Sequence, residues 1–191
     1  LPEDCRWECL AGKSGAELFD TYKKMLDKLG AQGGMLQEIF TGAQNKMSSP
    51  AILARVIQMI GAETWTAMSQ DVKGDIYEGL LQRIAEDTKS GAGQYFTPRP
   101  LINTIVKCVQ PKPEKTVCDP CCGSGGFLLA AKGYIEEAYQ LDADQNKFLK
   151  NEAFHGWEIV PATRRLCLMN LFLHNIGDFN DVPPITRNDA L

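Results

Sequence analysis

The amino-acid sequence predicts an α/β protein in which a helical bundle precedes the first half of a doubly wound parallel sheet. Apolar residues recur at helical spacing through the first ninety residues. From about residue 115, strand and helix patterns alternate, which is typical of a parallel sheet flanked by helices. We therefore expect two domains, an N-terminal helical domain (1–90) and a ligand-binding α/β domain (91–191).

Three helices are expected in the N-terminal half. The first follows a capping box between Ser14 and Glu17 and continues to Gly30. The second, 50–61, has proline at its first position, where the missing N–H costs nothing. The third covers about 71–89 and carries an apolar stripe. Such stripes indicate a small bundle rather than a ligand site.

The second half begins with a glycine-rich loop, 90–93, which we interpret as a hinge. The elements expected after it are an extended segment (94–96), a helix capped by Thr97–Pro98, a strand (116–118), a helix to about Tyr139, a charged connector (141–152), a strand (153–158), a helix from Pro161 to Ile176, and a third strand from Pro184 to near Asp189.

The loop after the first of these strands is the most informative segment. Asp119 ends the strand, and a glycine-rich turn leads into a helix, as in nucleotide-binding cradles. A carboxylate at this position repels a dinucleotide pyrophosphate, and Leu128 stands where a third fingerprint glycine is required. S-adenosylmethionine carries an ammonium and a sulfonium and no phosphate. The loop therefore predicts a methyl-donor site rather than an NAD site.

Three acids stand at the ends of three consecutive predicted strands: Asp119, Glu158 and Asp189. The carboxyl ends of parallel strands share one edge of the sheet, so these side chains are expected to converge on one ligand. At the second strand end, Glu158 suits the two ribose hydroxyls. Asp189 suits the adenine amine.

Four segments in order, 94–98, 119–128, 156–159 and 188–191, resemble the motifs of adenine-specific DNA methyltransferases. In particular they resemble the modification subunit of type I restriction–modification systems, and 71–81 is similar to that family's bridge into the catalytic domain. The resemblance implies a Rossmann-like class I methyltransferase sheet, S-adenosylmethionine as donor and double-stranded DNA as substrate. It also implies specificity and restriction subunits as partners.

The resemblance assigns the donor-binding residues. The family usually has threonine at the position of Ser124 and alanine near Cys121 and Cys122, and these small substitutions preserve the cradle. The positions that match are Tyr95, Phe96 and Thr97 at the methionine end, Asp119, Gly123, Ser124 and Gly125 in the cradle, Phe127 as its apolar wall, Glu158 at the ribose, and Asp189 near adenine.

The family's catalytic tetrapeptide, Asn/Asp-Pro-Pro-Phe/Tyr, is not matched in these residues. The segment 181–184 (Asp-Val-Pro-Pro) has an extra residue between acid and prolines, lies before Asp189, and is interpreted as a loop. We expect the catalytic motif beyond Leu191, so that residues 1–191 hold the donor-binding half and do not methylate DNA alone.

Composition restricts the remaining possibilities. The formal net charge is −4 and basic residues are scattered, so we expect most DNA phosphate contacts to come from other segments or subunits. The sequence shows neither a signal peptide nor a membrane-length apolar run, so a cytoplasmic location is expected.

Seven cysteines are interpreted as free thiols of a reducing compartment, and no metal is expected. The alternatives are a zinc site or a redox pair that uses Cys118 and Cys121, the former completed by Cys5 and Cys9. For function, the alternatives are a methyltransferase acting on RNA or protein, and a non-catalytic interaction fragment.

Overall fold

The computed structural model describes residues 1–68, 70–87 and 97–190. The chain divides into two compact units, Leu1–Met68 and Ser69–Leu191.

The first unit is helical. In it α2 packs against the other three helices, and the faces that meet are apolar. Its elements are α1 (Glu8–Ala11), α2 (Gly15–Leu29), α3 (Gly34–Phe40) and α4 (Pro50–Gly61), with 3₁₀ turns at Glu3–Cys5 and Trp65–Ala67. Its core consists of Cys5, Leu10, Leu18, Met25, Leu26, Leu29, Met35, Leu36, Ile39, Leu53 and Ile57.

The first two predicted helices are confirmed as α2 and α4. Ser49 caps α4 by accepting a hydrogen bond from the Ile52 N–H at 3.3 Å. The predicted capping box at the start of α2 is wrong: Ser14 makes no side-chain cap bond, and Glu17 pairs with Lys13. The Glu17 carboxylate, which was expected to complete the capping box with Ser14, instead forms an ion pair with Lys13.

The second unit contains a three-stranded sheet in the order β1-β2-β3, with both pairings parallel. Helices join the strands, as the alternating pattern predicted. The elements are α5 (Gln70–Asp87), α6 (Arg99–Val109), β1 (Val117–Asp119), α7 (Gly126–Ala138), α8 (Ala143–Asn151), β2 (Phe154–Trp157), α9 (Pro161–Leu173) and β3 (Ile185–Thr186).

Packing between helices completes this unit. The amphipathic α6 lies against α7, and α5 lies against α9. In this unit the largest fully buried side chains are apolar with the exception of Asn170, and they lie on α7, on α9, at Ile176 and at Ile185 of β3. We predicted a domain boundary at residue 90, whereas α5 groups with the sheet; the functional division into 1–90 and 91–191 stays a prediction.

The segment predicted as a charged connector, 141–152, contains helix α8 (Ala143–Asn151), so that prediction is wrong. Asp142 accepts a hydrogen bond from the Gln145 N–H at 2.8 Å, and the Gln145 side chain accepts one from the Asp142 N–H at 3.1 Å. This capping box starts α8, and burial of Leu149 holds it against β2. One buried residue on a charged helix is a weak sequence signal.

Other boundaries differ by a few residues. Helix α9 ends at Leu173 rather than Ile176, and β3 ends at Thr186 rather than near Asp189. Pro98, not Thr97, is the N-cap residue of α6. The predicted loop 90–93 and the extended segment 94–96 lie outside the described residues. Where the chain is described, no helix is both long and apolar enough to span a bilayer.

Candidate ligand-binding site

The parallel register places two predicted acids at one edge of the sheet. Asp119, the last residue of β1, is paired with Gly156 of β2, and Glu158 follows the end of β2. The Glu158 N–H donates to the Thr186 carbonyl at 3.1 Å, which fixes the strand end that carries this carboxylate. The two acids therefore flank the loop between β1 and α7.

This loop turns sharply through glycines in the left-handed region. Gly123 has φ +54° and Gly125 has φ +86°, conformations that side chains rarely adopt. A Cβ at Gly125 would also lie 3.0 Å from the Cys167 sulfur. The Gly125 N–H donates to the Cys122 carbonyl at 2.7 Å, which closes the turn just before α7.

Glu158 ties the loop to the second strand end. It is 7% exposed, and one carboxylate oxygen accepts the Gly123 N–H at 3.0 Å while the other accepts the Val160 N–H at 2.8 Å. Each oxygen has a second lone pair, so this carboxylate can still accept hydroxyl donors. Its first task is structural, because it positions the backbone of the glycine turn.

Asp119 has one oxygen engaged and one without a partner. Oδ1 accepts the Cys121 N–H at 2.9 Å, whereas Oδ2 is buried and has no hydrogen-bond partner. Burial raises the pKa of this carboxyl, and the nearby Glu158 charge adds to the increase. When the Asp119 carboxyl is ionised, a cationic group or an N–H donor of a ligand stabilises its unpartnered Oδ2.

The loop is also held from behind. Asn170 of α9 is fully buried and donates from Nδ2 to the Ser124 carbonyl at 2.9 Å. Two thiols lie close by: a hydrogen bond with Cys122, together with burial, raises the pKa of Cys167. All seven cysteines are free thiols.

A cavity of about 420 Å³ opens at this edge, and we call it the strand-end cavity. Six predicted site residues line it: Thr97, Asp119, Gly123, Ser124, Phe127 and Glu158. Gly125 lies within the same loop as the N-cap of α7. Asp189 is exposed and is not among the lining residues. Tyr95 and Phe96 lie outside the described residues.

Two charged residues that line the strand-end cavity, Arg99 and Glu78, were not predicted as site residues. Arg99 begins α6, and its guanidinium pairs with the Glu78 carboxylate of α5. Arg99 follows Thr97 by two residues, so its position beside the segment predicted to hold the methionine end was a usable signal. Glu78 and Asn170 reach the site through tertiary packing of α5 and α9, which periodicity alone does not indicate.

Glu78 also belongs to a group with Asp75 and His174, in which each residue places one atom of the kind that binds metal ions within 4.8 Å of the others. One ring nitrogen of His174, Nδ1, lies 2.9 Å from the Asn170 carbonyl. The Arg99 guanidinium already supplies positive charge to Glu78. The group thus brings residues of α5 next to the C-cap of α9, and the Glu78–Arg99 ion pair links it to α6.

The site can hold a ligand that combines hydroxyl, cationic and apolar parts. The glycine turn permits close approach of the ligand to the backbone, the two acids supply acceptors, and Phe127 with Ile102 supplies apolar surface. Gly126 likewise leaves space, since a Cβ there would lie 3.0 Å from the Ile102 side chain.

The chain is similar in sequence to methylase subunits of type I restriction enzymes. A sequence profile of the N-6 DNA methylase family matches residues 68–191. The chain is 42% identical over 185 residues to the methylase subunits of two type I restriction enzymes, StySPI of Salmonella potsdam and EcoKI of Escherichia coli strain K12. Each match covers 92% of this chain and 35% of the relative, so the chain spans about a third of their length.

The fold also resembles solved structures from type I restriction–modification systems. A structure from a study of complex assembly and conformational transition of the type I R-M system superposes with a TM-score of 0.78 and 27% identity, covering all of this chain and 40% of that one. A modification subunit of a putative type I restriction enzyme from Vibrio vulnificus YJ016 gives 0.70 and 25%, covering 87% and 35%. These likenesses confirm the predicted fold, a helical unit followed by part of an α/β methyltransferase sheet.

Proposed function

Because this chain belongs to the N-6 DNA methylase family, we propose that it is the donor-binding part of an adenine-specific DNA methyltransferase. The parent protein is the modification subunit of a type I restriction–modification system. It transfers a methyl group from S-adenosylmethionine to the N6 amine of adenine in double-stranded DNA.

The observation that carries the donor assignment is the buried, unpartnered Oδ2 of Asp119 beside the glycine turn. A dinucleotide pyrophosphate would be repelled by Asp119 and Glu158 together, whereas an ammonium or sulfonium is attracted. The cradle glycines would lose this space if they carried side chains. The residues of the cavity therefore fit S-adenosylmethionine better than NAD.

Each residue has a distinct task in this proposal. Asp119 offers its free oxygen to the donor's cationic end, and Glu158 accepts the ribose hydroxyls while holding Gly123 in place. Thr97 contacts the methionine end from the segment just before α6, and Phe127 covers the apolar side. When bound, the donor supplies an electrophilic methyl group on its sulfonium. Tyr95, Phe96 and Asp189 remain predicted contacts.

The DNA and the partner subunits follow from the same family membership. The net charge of −4 disfavours strong DNA affinity by this chain alone, because such affinity is dominated by basic contacts to phosphates. We propose that target recognition comes from a specificity subunit, with a restriction subunit completing the assembly in the cytoplasm. A gel shift with and without the specificity subunit tests this division: sequence-selective binding without that subunit would contradict it.

The donor site is tested by replacing Glu158 with glutamine. The neutral amide cannot accept both backbone N–H groups and loses the charge-assisted bonds to the ribose. We expect S-adenosylmethionine affinity to fall about tenfold, or roughly 1–2 kcal/mol. Isothermal calorimetry on the intact protein measures the change.

The matched control is Glu152→Gln, an exposed carboxylate at the end of α8 that should leave affinity unchanged. A parallel titration with NAD should show no binding. Unchanged affinity in Glu158→Gln would remove this residue from the site, and saturable NAD binding would refute the donor assignment.

A further inference from the structure

The strand-end cavity is lined by three carboxylates and one basic side chain. The acids are Glu78, Asp119 and Glu158, and among the described lining residues Arg99 is the one that carries positive charge. S-adenosylmethionine carries an ammonium, a sulfonium and a carboxylate. The acids complement the two cationic groups, but they repel the carboxylate unless a cation lies beside it.

Arg99 is positioned for that purpose by its surroundings. It is the first residue of α6, two positions after Thr97, and its side chain is 32% exposed. Its Nη2 pairs with Glu78, whose side chain is 13% exposed on α5. The ion pair thus fixes the guanidinium at the wall of the cavity.

The guanidinium has capacity beyond this pair. Arginine presents five N–H donors in a planar fork, and a single carboxylate accepts two of them in the bidentate arrangement. Burial lowers the pKa of Arg99 and the Asp75 charge opposes this decrease, yet arginine remains protonated at neutral pH. A second carboxylate can therefore be bound on the face of the fork that Glu78 leaves.

We propose that Arg99 binds the carboxylate of the donor's methionine end, with Glu78 as the residue that positions it. This inference rests on the proposed function and deepens it, since it assigns the one anionic group of the donor. It also explains why the described residues that line this acid-rich cavity include one arginine, which is held by the partly exposed Glu78.

The test compares two ligands that differ only in the carboxylate: S-adenosylmethionine and its decarboxylated analogue. The unmodified, intact protein should bind S-adenosylmethionine at least about tenfold more tightly. Arg99→Gln should remove most of that difference while changing affinity for the analogue less than about twofold. Arg99→Lys should give an intermediate loss, because a point charge does not reproduce the fork.

The matched control is Lys107→Gln, which removes an exposed cation from the same helix at a position outside the strand-end cavity. It should change neither affinity. Equal affinity of the unmodified protein for the two ligands would overturn the inference without any variant. An equal loss for both ligands in Arg99→Gln would also overturn it, since Arg99 would then only join α5 to α6. Binding of neither ligand by the unmodified protein would instead refute the proposed donor.

Discussion

The two units of the chain bury different kinds of side chain. The core of Leu1–Met68 is apolar, with Leu18 and Met35 completely shielded from solvent. In the second unit, polar and charged groups are buried as well. Over the described ranges, all buried polar and charged residues fall there: Ser124, Lys132, Glu158, Thr163, Arg164 and Asn170.

Burying a polar group without a partner is costly, so such groups persist where their hydrogen bonds have a specific task. Here the task is to hold backbone at the strand ends. Glu158 binds the Gly123 N–H, Asn170 binds the Ser124 carbonyl, and the Arg164 Nε–H donates to the Ile185 carbonyl at 2.7 Å. The helical unit is thus stabilised by burial of apolar side chains, whereas the site is held together by hydrogen bonds from buried polar side chains.

The largest effect on stability should come from the apolar core. Leu18→Ala deletes a completely buried side chain and should lower the free energy of unfolding by about 2–5 kcal/mol. Donor affinity, measured where the variant is still folded, should not change. Leu80→Ala, at a position 53% exposed, is the control and should cost under about 1 kcal/mol. A loss of donor affinity in Leu18→Ala would break the distinction between the two units.

A smaller loss of stability, accompanied by loss of binding, is expected for Asn170→Ala. The variant leaves the buried Ser124 carbonyl without its donor, which costs about 1–3 kcal/mol, and it loosens the glycine turn. We expect donor affinity to fall several-fold. The control is Asn146→Ala on α8, whose side chain bonds to the Asp142 carbonyl at 2.8 Å but is exposed. Thermal unfolding and calorimetry separate the two effects; equal behaviour of the two variants would show that burial is irrelevant.

The smallest predicted effect is a gain in stability, which we expect when the charge of Asp119 is removed. Burial raises the pKa of Asp119 above 3.8, so the folded state disfavours the carboxylate more than the unfolded state does. Stability is therefore lost as pH rises from about 3.8 through the folded pKa, and the cost is fully present above that pKa. Asp119→Asn should raise Tm at pH 7 by about 1–3 °C and weaken donor binding.

The gain in Tm from Asp119→Asn should disappear below about pH 3.8, where the carboxyl is protonated in both states. Asp181→Asn, an exposed acid in the loop before β3, serves as control and should not change Tm. A lower Tm for Asp119→Asn at pH 7 would show that the ionised carboxylate stabilises the unliganded fold.

Much of the fold was predictable because hydrophobic periodicity reports which face of a helix is buried. Helices α2, α4, α7 and α9 follow from such stripes or from proline at the first turn. Helix α8 was missed because it buries only Leu149 and is otherwise charged. The short α3 was not predicted either. The capping box at Ser14 failed because Lys13 competes for Glu17.

The site was predictable where residues are adjacent in sequence to a strand end. Asp119, the glycine turn and Glu158 follow directly from that rule, because parallel strands bring their carboxyl ends to one edge. Arg99, Glu78 and Asn170 depend instead on how α5, α6 and α9 pack, which a strand–helix pattern does not specify. Asp189 lies three residues beyond β3 and is exposed.

The parallel pairing of β1 with β2 also has a consequence for how the site comes into existence. Asp119 is paired with Gly156, 37 residues later, and α7 and α8 occupy the intervening chain. A Cβ at position 156 would overlap the Cys122 sulfur and the Asp119 carbonyl, so the pairing brings the two backbones into direct contact. A ribosome adds those residues in about 2–7 s, and until then the glycine turn has neither Glu158 nor the strand beside it. The ligand site therefore cannot be complete until the chain has been synthesised through Glu158, whereas α7 needs only residues that are already present.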